Sequence, residues 1–385
     1  MLTGNINFKN FKIKKNTKKV KKILKKLLQE DNEIIRSLRK SYRNSYHRKL
    51  VNKYSKALNY RIIGMGGSTL GAQTIYDFLS KKIKKKFSFI DNLQAFSKIN
   101  NDEKIINLVI SKSGNTIETI INTNLLLKKK HKNIFITENK KSYLYLLAEK
   151  LKADIVKHNN FIGGRYSVLS EVGMLPAELM GLKSNKFKNL NLLVKNKIFF
   201  NSLVSNVSST LHFIKNKKYN SIIINYDEKS QNLFNWYQQL IAESLGKNKK
   251  GILPIISNMP KDNHSVMQLY LDGFKNNFYT FFFVNENNST RIKTNFYKNK
   301  SFSYLKNKNL NQIKLSQKLA TENVFQKKNI PFRSFTIFKR DEKTLGELFS
   351  FFILETILIG KMLNLNPYDQ PAVELIKNET KKILI

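Results

Sequence analysis

The pattern of hydrophobic and polar positions changes near residue 58. Before it, residues 17–40 place apolar side chains at helical spacing with lysines opposite, which predicts an amphipathic helix. Such a helix could bind a membrane surface, but its apolar face has no Trp or Phe, so packing on the protein is favoured. We expect residues 1–55 to form a basic helical segment. The apolar positions of this helix are Val20, Ile23, Leu24, Leu27 and Leu28.

After residue 58, short apolar runs alternate with polar or glycine-bearing turns and with helical stretches, which is typical of βαβ units around a parallel sheet. The fold class is therefore α/β, with two αβα domains predicted at 56–195 and 196–385. The second domain ends with helices near 343–363 and 370–382. The predicted strands are 61–63, 105–110, 133–137, 154–156, 221–226, 252–256, 278–284 and 334–338.

No apolar run is long enough to predict a membrane span. The longest, FSFFILETILIG at 349–360, contains Glu355 and predicts a buried helix. Lysines recur within the first 16 residues, so we expect no secretory signal. The chain has 385 residues, is 41% hydrophobic and lacks Cys. These values predict a folded protein of two or three domains in the cytoplasm, without disulfides or thiolate metal sites.

The chain is strongly basic, with 69 Lys and Arg against 27 Asp and Glu, a formal net charge of +42. A charge of this size would favour nucleic acid or an anionic membrane as a partner. However, Lys, Asn and Ile are abundant along the whole chain, and the excess is not concentrated in one stripe. Compositional drift is the favoured explanation, although a diffuse positive field would still attract small anionic substrates.

Two predicted strand-to-helix junctions have chemistry suited to phosphate. The first, IIGMGGSTLG at 62–71, is a glycine-rich turn that could hold a phosphate or be merely structural; its spacing fits neither nucleotide-binding fingerprint. The second, VISKSGNTIET at 109–119, gathers more hydroxyls than a helix cap needs, which favours a phosphate monoester. Its hydroxyl side chains are Ser111, Ser113, Thr116 and Thr119, with Lys112 among them.

Four more segments follow in order: GGRYSVLSEVGMLP at 163–176, NWYQQLIAESLGK at 235–247, DNHSVMQLYLDG at 262–273 and QPAVELIK at 370–377. With GMGGSTLG and SKSGNTIET, they closely resemble the glucose-6-phosphate isomerase family, also called phosphoglucose isomerase. The resemblance runs from about residue 59 to 378. It implies two sugar-isomerase (SIS-type) domains and the reversible interconversion of glucose 6-phosphate and fructose 6-phosphate in glycolysis and gluconeogenesis.

Moving a carbonyl between two sugar carbons requires ring opening, removal of a proton next to the carbonyl, and return of that proton to the neighbouring carbon. The resemblance implies that Glu243 carries this proton through a cis-enediol or enediolate and that Arg165 stabilises the enediolate oxygen. It assigns ring opening to His264 and Lys377. Neither a metal nor a cofactor is expected. The substrate-binding positions that the resemblance implies are Gly67, Ser68, Ser111, Lys112, Ser113, Thr116, Gln239 and Gln370.

In the family the histidine comes from a neighbouring subunit, so the resemblance implies a homodimer in which His264 crosses the interface. Two departures are Ala372, where the family commonly has Gly, and a chain shorter than usual. A sugar-phosphate sensor with the same fold is an alternative, disfavoured because Glu243, His264, Lys377 and Arg165 are all retained. A specific nucleic-acid-binding protein is a second alternative, which rests on charge alone; a membrane partner is not expected.

Overall fold

The computed structural model describes residues 1–13, 17–93, 104–128, 130–286, 289–292 and 300–385. The strands are β1 (Ile6–Lys9), β2 (Asn59–Gly64), β3 (Lys86–Ile90), β4 (Ile106–Ile110), β5 (Lys132–Thr137), β6 (Asp154–Lys157), β7 (Asn220–Asn225), β8 (Leu253–Asn258), β9 (Asn277–Val284) and β10 (Phe332–Ile337). The α-helices are α1 (Lys18–Gln29), α2 (Glu33–Ser37), α3 (Arg48–Tyr54), α4 (Leu70–Phe78), α5 (Ile117–Leu126), α6 (Tyr143–Lys150), α7 (Glu171–Leu179), α8 (Leu190–Lys195), α9 (Lys197–Lys215), α10 (Gln231–Leu245), α11 (Met267–Asp272), α12 (Leu310–Lys327), α13 (Glu342–Met362) and α14 (Ala372–Leu384).

The first sheet is parallel throughout and has the order β3-β2-β4-β5-β6. Its side chains alternate between two apolar clusters, as the two-residue period of a strand requires. Ile63 and Val109 pack under α5 and α6, whereas Ile62 and Leu108 belong to the main core that includes α4. Helices therefore cover both faces. Because β2 and β4 are neighbours, with Gly64 opposite Ile110, the turns after these strands lie side by side.

The second sheet has the order β1-β10-β9-β7-β8, parallel except for β1, which runs antiparallel to β10. The predicted α/β class with parallel sheets and flanking helices is confirmed, and each predicted strand overlaps an observed one. Strands β1 and β3 were not predicted. Strand β1 brings residues 6–9 of the N-terminal segment into the second sheet. The domain boundaries at 55 and 195 stay predictions.

The amphipathic N-terminal helix is confirmed as α1, although it ends at Gln29 rather than near residue 40. Val20, Leu24 and Leu27 are buried in the main core, and Ile23 and Leu28 pack partly against it. The leucine stripe is therefore covered by the protein itself, which is the packing that the sequence favoured over membrane binding.

Helix α13 is the buried helix predicted at 349–360, and a charged network lies along it. Glu355 accepts hydrogen bonds from Arg333 Nη1 at 2.5 Å, from Asn206 Nδ2 at 2.6 Å and from the Tyr237 hydroxyl at 3.1 Å. The side chains of Arg333 and Glu355 are both 1% exposed. The network joins β10, α9, α10 and α13. Among the described helices, none is both long and apolar enough to cross a membrane.

Substitution of Arg333 by Met tests this network. The change leaves Glu355 buried without its cation, so we expect the free energy of unfolding to fall by about 3–5 kcal/mol in urea denaturation. The matched control is Lys53→Met, because Lys53 pairs with Asp154 at 2.7 Å but is 57% exposed. That variant should lose about 0–1 kcal/mol. Similar losses in both variants would contradict a structural role for the buried pair.

The turn after β2 packs directly on a second turn at 164–169. A Cβ atom added to Gly67 would lie 2.2 Å from the carbonyl carbon of Gly164, which is too close for any side chain. Glycine at 67 is therefore what lets the two backbones meet.

We predict that Gly67→Ala separates these turns. The added methyl cannot be accommodated without a backbone shift, so the free energy of unfolding should fall by at least about 2 kcal/mol. Gly163→Ala provides the control, since a Cβ at Gly163 meets nothing within 4 Å. Its effect should stay within about 0.5 kcal/mol. Thermal denaturation of both variants measures the difference, and equal stability would show that the close approach is unimportant.

Candidate active site

Helix α10 carries the proposed base near its C-terminal end. Its inner face is buried, and the Trp236 Nε1–H donates to the main-chain oxygen of Arg165 at 2.9 Å. Glu243 lies on the last turn, with its side chain 30% exposed. Gln239, one turn earlier, donates from Nε2 to Glu243 Oε1 at 2.8 Å, as the i,i+4 spacing allows. The carboxylate is therefore held in place yet accessible to a ligand.

Arg165 is the central side chain of this region. Its side chain is 1% exposed, and all five of its N–H groups have acceptors. The guanidinium therefore joins α10 to the loop that precedes α14, and its Nη1 donates to both Glu243 and Gln370. The acceptors are Ser244 Oγ (2.8 Å), Glu243 Oε2 (3.0 Å), Gln370 Oε1 (2.6 Å), Pro367 O (2.9 Å) and Asp369 O (3.0 Å).

The loop before α14 is fixed by further contacts. The Tyr166 hydroxyl donates to the main-chain oxygen of Pro367 at 3.0 Å and lies 2.8 Å from Ser244 Oγ. Burial raises the pKa of Tyr166, so this hydroxyl keeps its proton and remains a donor. Lys247 contacts Asp369 Oδ1 at 2.6 Å, and this hydrogen bond lowers the pKa of Asp369.

A cavity of about 640 Å³ opens beside this cluster. Glu243, Lys247 and Gln370 contribute to its wall, with residues of 242–250 and 365–373. Its volume lies within the range of about 300–1,000 Å³ found for small-molecule sites. The carboxylate of Glu243 and the amide of Gln370 thus border this cavity, whose lining does not include the turns after β2 and β4.

The SKSGNT turn lies at the carboxyl end of β4. Ser111 Oγ is 3.0 Å from Thr116 Oγ1, and Ser113 Oγ accepts the N–H of Asn115 at 3.3 Å. Gly114 has φ +65°, a conformation that favours glycine and reverses the chain before α5. Ser113 is exposed and Thr116 is half-buried, whereas Ser111 is buried.

The glycine turn after β2 links the SKSGNT turn to α10. A Cβ atom added to Gly66 would lie 2.8 Å from Gln239 Nε2, and Gly67 touches Gly164 beside Arg165. Ser68 ends this short turn. Since the turn also neighbours the carboxyl end of β4, the first sheet, the turn at 164–169 that contains Arg165, here called the arginine loop, and α10 meet at one place.

Lys112, the lysine of SKSGNT, is already engaged. Its ammonium donates to the main-chain oxygen of Asn160 at 2.7 Å and lies 3.6 Å from Glu138 Oε1. Lys112 therefore connects the SKSGNT turn with the segment that leads into the arginine loop.

Two predicted catalytic residues do not join this cluster within the chain. Lys377 lies on α14, is 54% exposed and pairs with Glu374 at 2.6 Å, and no residue of α14 is buried. His264 ends a short helical turn at 261–264 after β8 and is also exposed. Among the described residues, neither side chain makes a hydrogen bond or ion pair with Glu243.

The sequence did not indicate several residues that organise the site. The segments that carry the resemblance contain Ser244, Lys247 and Tyr166, but no role was predicted for these three side chains. The acceptor role of the carbonyls of Pro367 and Asp369 had no signal, because every residue has a carbonyl. In the described part of the chain, no group of three or more His, Asp or Glu side chains could hold a metal ion.

The family model described as phosphoglucose isomerase matches residues 11–385. The glucose-6-phosphate isomerase of Methanocaldococcus jannaschii is 33% identical over 366 residues, covering 89% of this chain and 88% of that protein. That of Campylobacter jejuni is 31% identical over 350 residues, covering 85% of each chain.

Solved structures support the same fold. A hypothetical protein from Thermus thermophilus superposes with a TM-score of 0.84 at 21% identity, covering 96% of this chain and 94% of that one. A glucose-6-phosphate isomerase from Chlamydia trachomatis gives a TM-score of 0.67 at 19% identity, covering 87% and 71%. The family match spans nearly the whole described chain, so this protein belongs to the phosphoglucose isomerase family.

Proposed function

We propose that this protein interconverts glucose 6-phosphate and fructose 6-phosphate, with Glu243 as the group that carries the proton. The observation that carries the proposal is the contact of one arginine atom, Arg165 Nη1, with both Glu243 and Gln370 beside an open cavity. A carboxylate next to a buried cation suits a reaction in which a proton leaves carbon and negative charge appears on a neighbouring oxygen. The reaction belongs to glycolysis, which fits the expected cytoplasmic location.

The substrate phosphate is proposed to bind at the adjacent turns after β2 and β4. The exposed Ser113 and the N-terminus of α5 suit a phosphate monoester without a metal. The positions proposed for this role are Gly67, Ser68, Ser111, Lys112, Ser113 and Thr116. With the phosphate anchored there, the carbon chain extends toward Glu243 and Gln370.

The proton transfer follows from the contacts of Glu243. Its carboxylate takes the proton from one carbon, and the protonated acid returns it to the neighbouring carbon. While Glu243 is protonated, it no longer offers Arg165 a negative charge. One N–H of Nη1 then becomes available to the enediolate oxygen at the moment when charge develops there. Gln239 holds the carboxylate in position throughout.

Ring opening is proposed to involve His264 and Lys377. Both side chains are exposed on their own chain, so each is available for a contact with a second subunit. We therefore propose a homodimer in which His264 of one chain completes the site that contains Glu243 of the other.

Glu243→Gln tests the assignment of the base. The amide keeps the shape and the contacts of the carboxylate but cannot accept the proton, so kcat should fall by about 10²–10⁴-fold. Conversion of fructose 6-phosphate, measured in a coupled assay with a chelator present, gives the rate. Calorimetry with glucose 6-phosphate should show that binding is largely kept.

The matched control is Glu379→Gln, which removes an exposed carboxylate paired with Lys382 on α14. Its activity should equal that of the unaltered protein. Full activity in Glu243→Gln would refute the base assignment. Binding without turnover in the unaltered protein would instead indicate a sugar-phosphate sensor.

Mixing two inactive variants tests the shared site. In a hybrid dimer of Glu243→Gln and His264→Asn chains, one of the two sites has both native residues only if His264 acts across the interface. Equal mixing and reassociation should then restore about a quarter of the normal activity, because half of the dimers are hybrids with one intact site each. If both residues act within one chain, no activity returns.

A further inference from the structure

A second cavity, here called the edge cavity, lies at the outer edge of the first sheet. Its volume is about 530 Å³, and it forms between the N-terminal segment, the end of β6 and the start of α7. None of its lining residues belongs to the proposed substrate site. Its lining includes Arg36, Arg39, Arg43, Lys157, His158 and Glu171.

The floor of the edge cavity is a buried and ordered polar cluster. The side chains of His158 and Glu171 are 2% and 1% exposed, and His158 Nδ1 lies 2.8 Å from Glu171 Oε1. The same oxygen accepts the N–H of Asn159 at 2.8 Å, and the Tyr42 hydroxyl donates to Oε2 at 3.3 Å. Burial alone would raise the pKa of Glu171, but the hydrogen bonds and charge of His158 hold it below its ordinary value. Both carboxylate oxygens of Glu171 therefore have hydrogen-bond partners within the protein.

The cations at the rim are treated differently. Arg36 donates to Glu33 at 2.5 Å, so these two charges largely cancel. Arg43 and the ammonium of Lys157 are exposed, and neither forms an ion pair or a side-chain hydrogen bond with the described residues. The cavity thus has one satisfied acidic floor and an excess of unpaired positive charge above it.

Arg39 adds a further positive charge to the lining of the edge cavity. Its Nη2 donates to the main-chain oxygen of Leu28 at 2.7 Å, which fixes the guanidinium. Its Nε is buried, so a ligand in the cavity does not reach this donor. Arg39 therefore contributes its charge to the cavity.

We propose that the edge cavity binds a small phosphate-bearing metabolite at a site separate from the substrate site. Arg39, Arg43 and Lys157 line one concave surface without a carboxylate partner among the described residues, and a phosphate there would accept charge-assisted hydrogen bonds from these cations. The volume suits a small molecule. The Ser41 hydroxyl, which also lines the cavity, provides a further donor, whereas the Ser45 hydroxyl already donates to the main-chain oxygen of Lys157.

Inorganic pyrophosphate is a suitable probe, and calorimetry at fixed ionic strength measures its binding. The experiment uses the full chain carrying Ser113→Ala and Thr116→Val, so that the turn after β4 contributes little. In this background, Arg43→Gln with Lys157→Gln should weaken pyrophosphate binding at least about tenfold, because both residues lose a charge-assisted contact. Both side chains are exposed, so the double variant should keep the fold, and circular dichroism checks this. If the double variant does not fold, Arg43→Gln alone replaces it in the comparison.

The matched control separates a built site from diffuse charge. Lys21→Gln with Lys25→Gln removes the same charge from the exposed face of α1 and should change the affinity less than about twofold. Equal weakening in both double variants, or no pyrophosphate binding by the background chain, would overturn the proposal. The comparison does not depend on isomerase activity, so failure of the proposed function leaves its result readable.

Discussion

The arrangement of the candidate site depends on the five hydrogen bonds of the Arg165 guanidinium. A planar group with five fixed donors can only be buried if acceptors come to it from several directions. Here they come from the end of α10 and from the loop before α14. Glu243 and Gln370 are placed as two of these acceptors, so the position of the carboxylate follows from the need to satisfy one buried cation. Lysine could not replace Arg165, because an ammonium has only three donors and lacks the planar, forked geometry of a guanidinium.

The alternation of apolar runs and helices was enough to predict the two sheets, because buried parallel strands leave continuous apolar segments in the sequence. It also identified the turns after β2 and β4 as strand-to-helix junctions, although not that they lie side by side or that the first meets α10. Strand β1 was missed because four residues beside a lysine-rich helix carry too little periodicity. The acceptors of Arg165 were missed in part because two are main-chain carbonyls, whose involvement depends on tertiary geometry alone.

The exposed positions of His264 and Lys377 were not apparent from their motifs, which fix only the order of residues along the chain. The resemblance implied a contact with a second subunit for His264 but not for Lys377. Helix α14 has no buried residue, although Leu375, Ile376, Ile383 and Leu384 give it an apolar stripe. An uncovered stripe of this kind is typical of a surface that another chain covers, which agrees with a site shared between subunits.

The strong positive charge has different consequences inside and outside the protein. In the core, burial requires that a cation be matched, and both Arg165 and Arg333 have carboxylate and neutral acceptors around them. At the surface, solvent and salt screen each lysine, so composition can drift toward Lys at little cost in stability. The cations at the edge cavity lie between these cases, because they are at least partly exposed to solvent but line one concave space. Cations that are buried or that line a concave surface therefore indicate a structural or binding role, whereas the net charge of the chain does not.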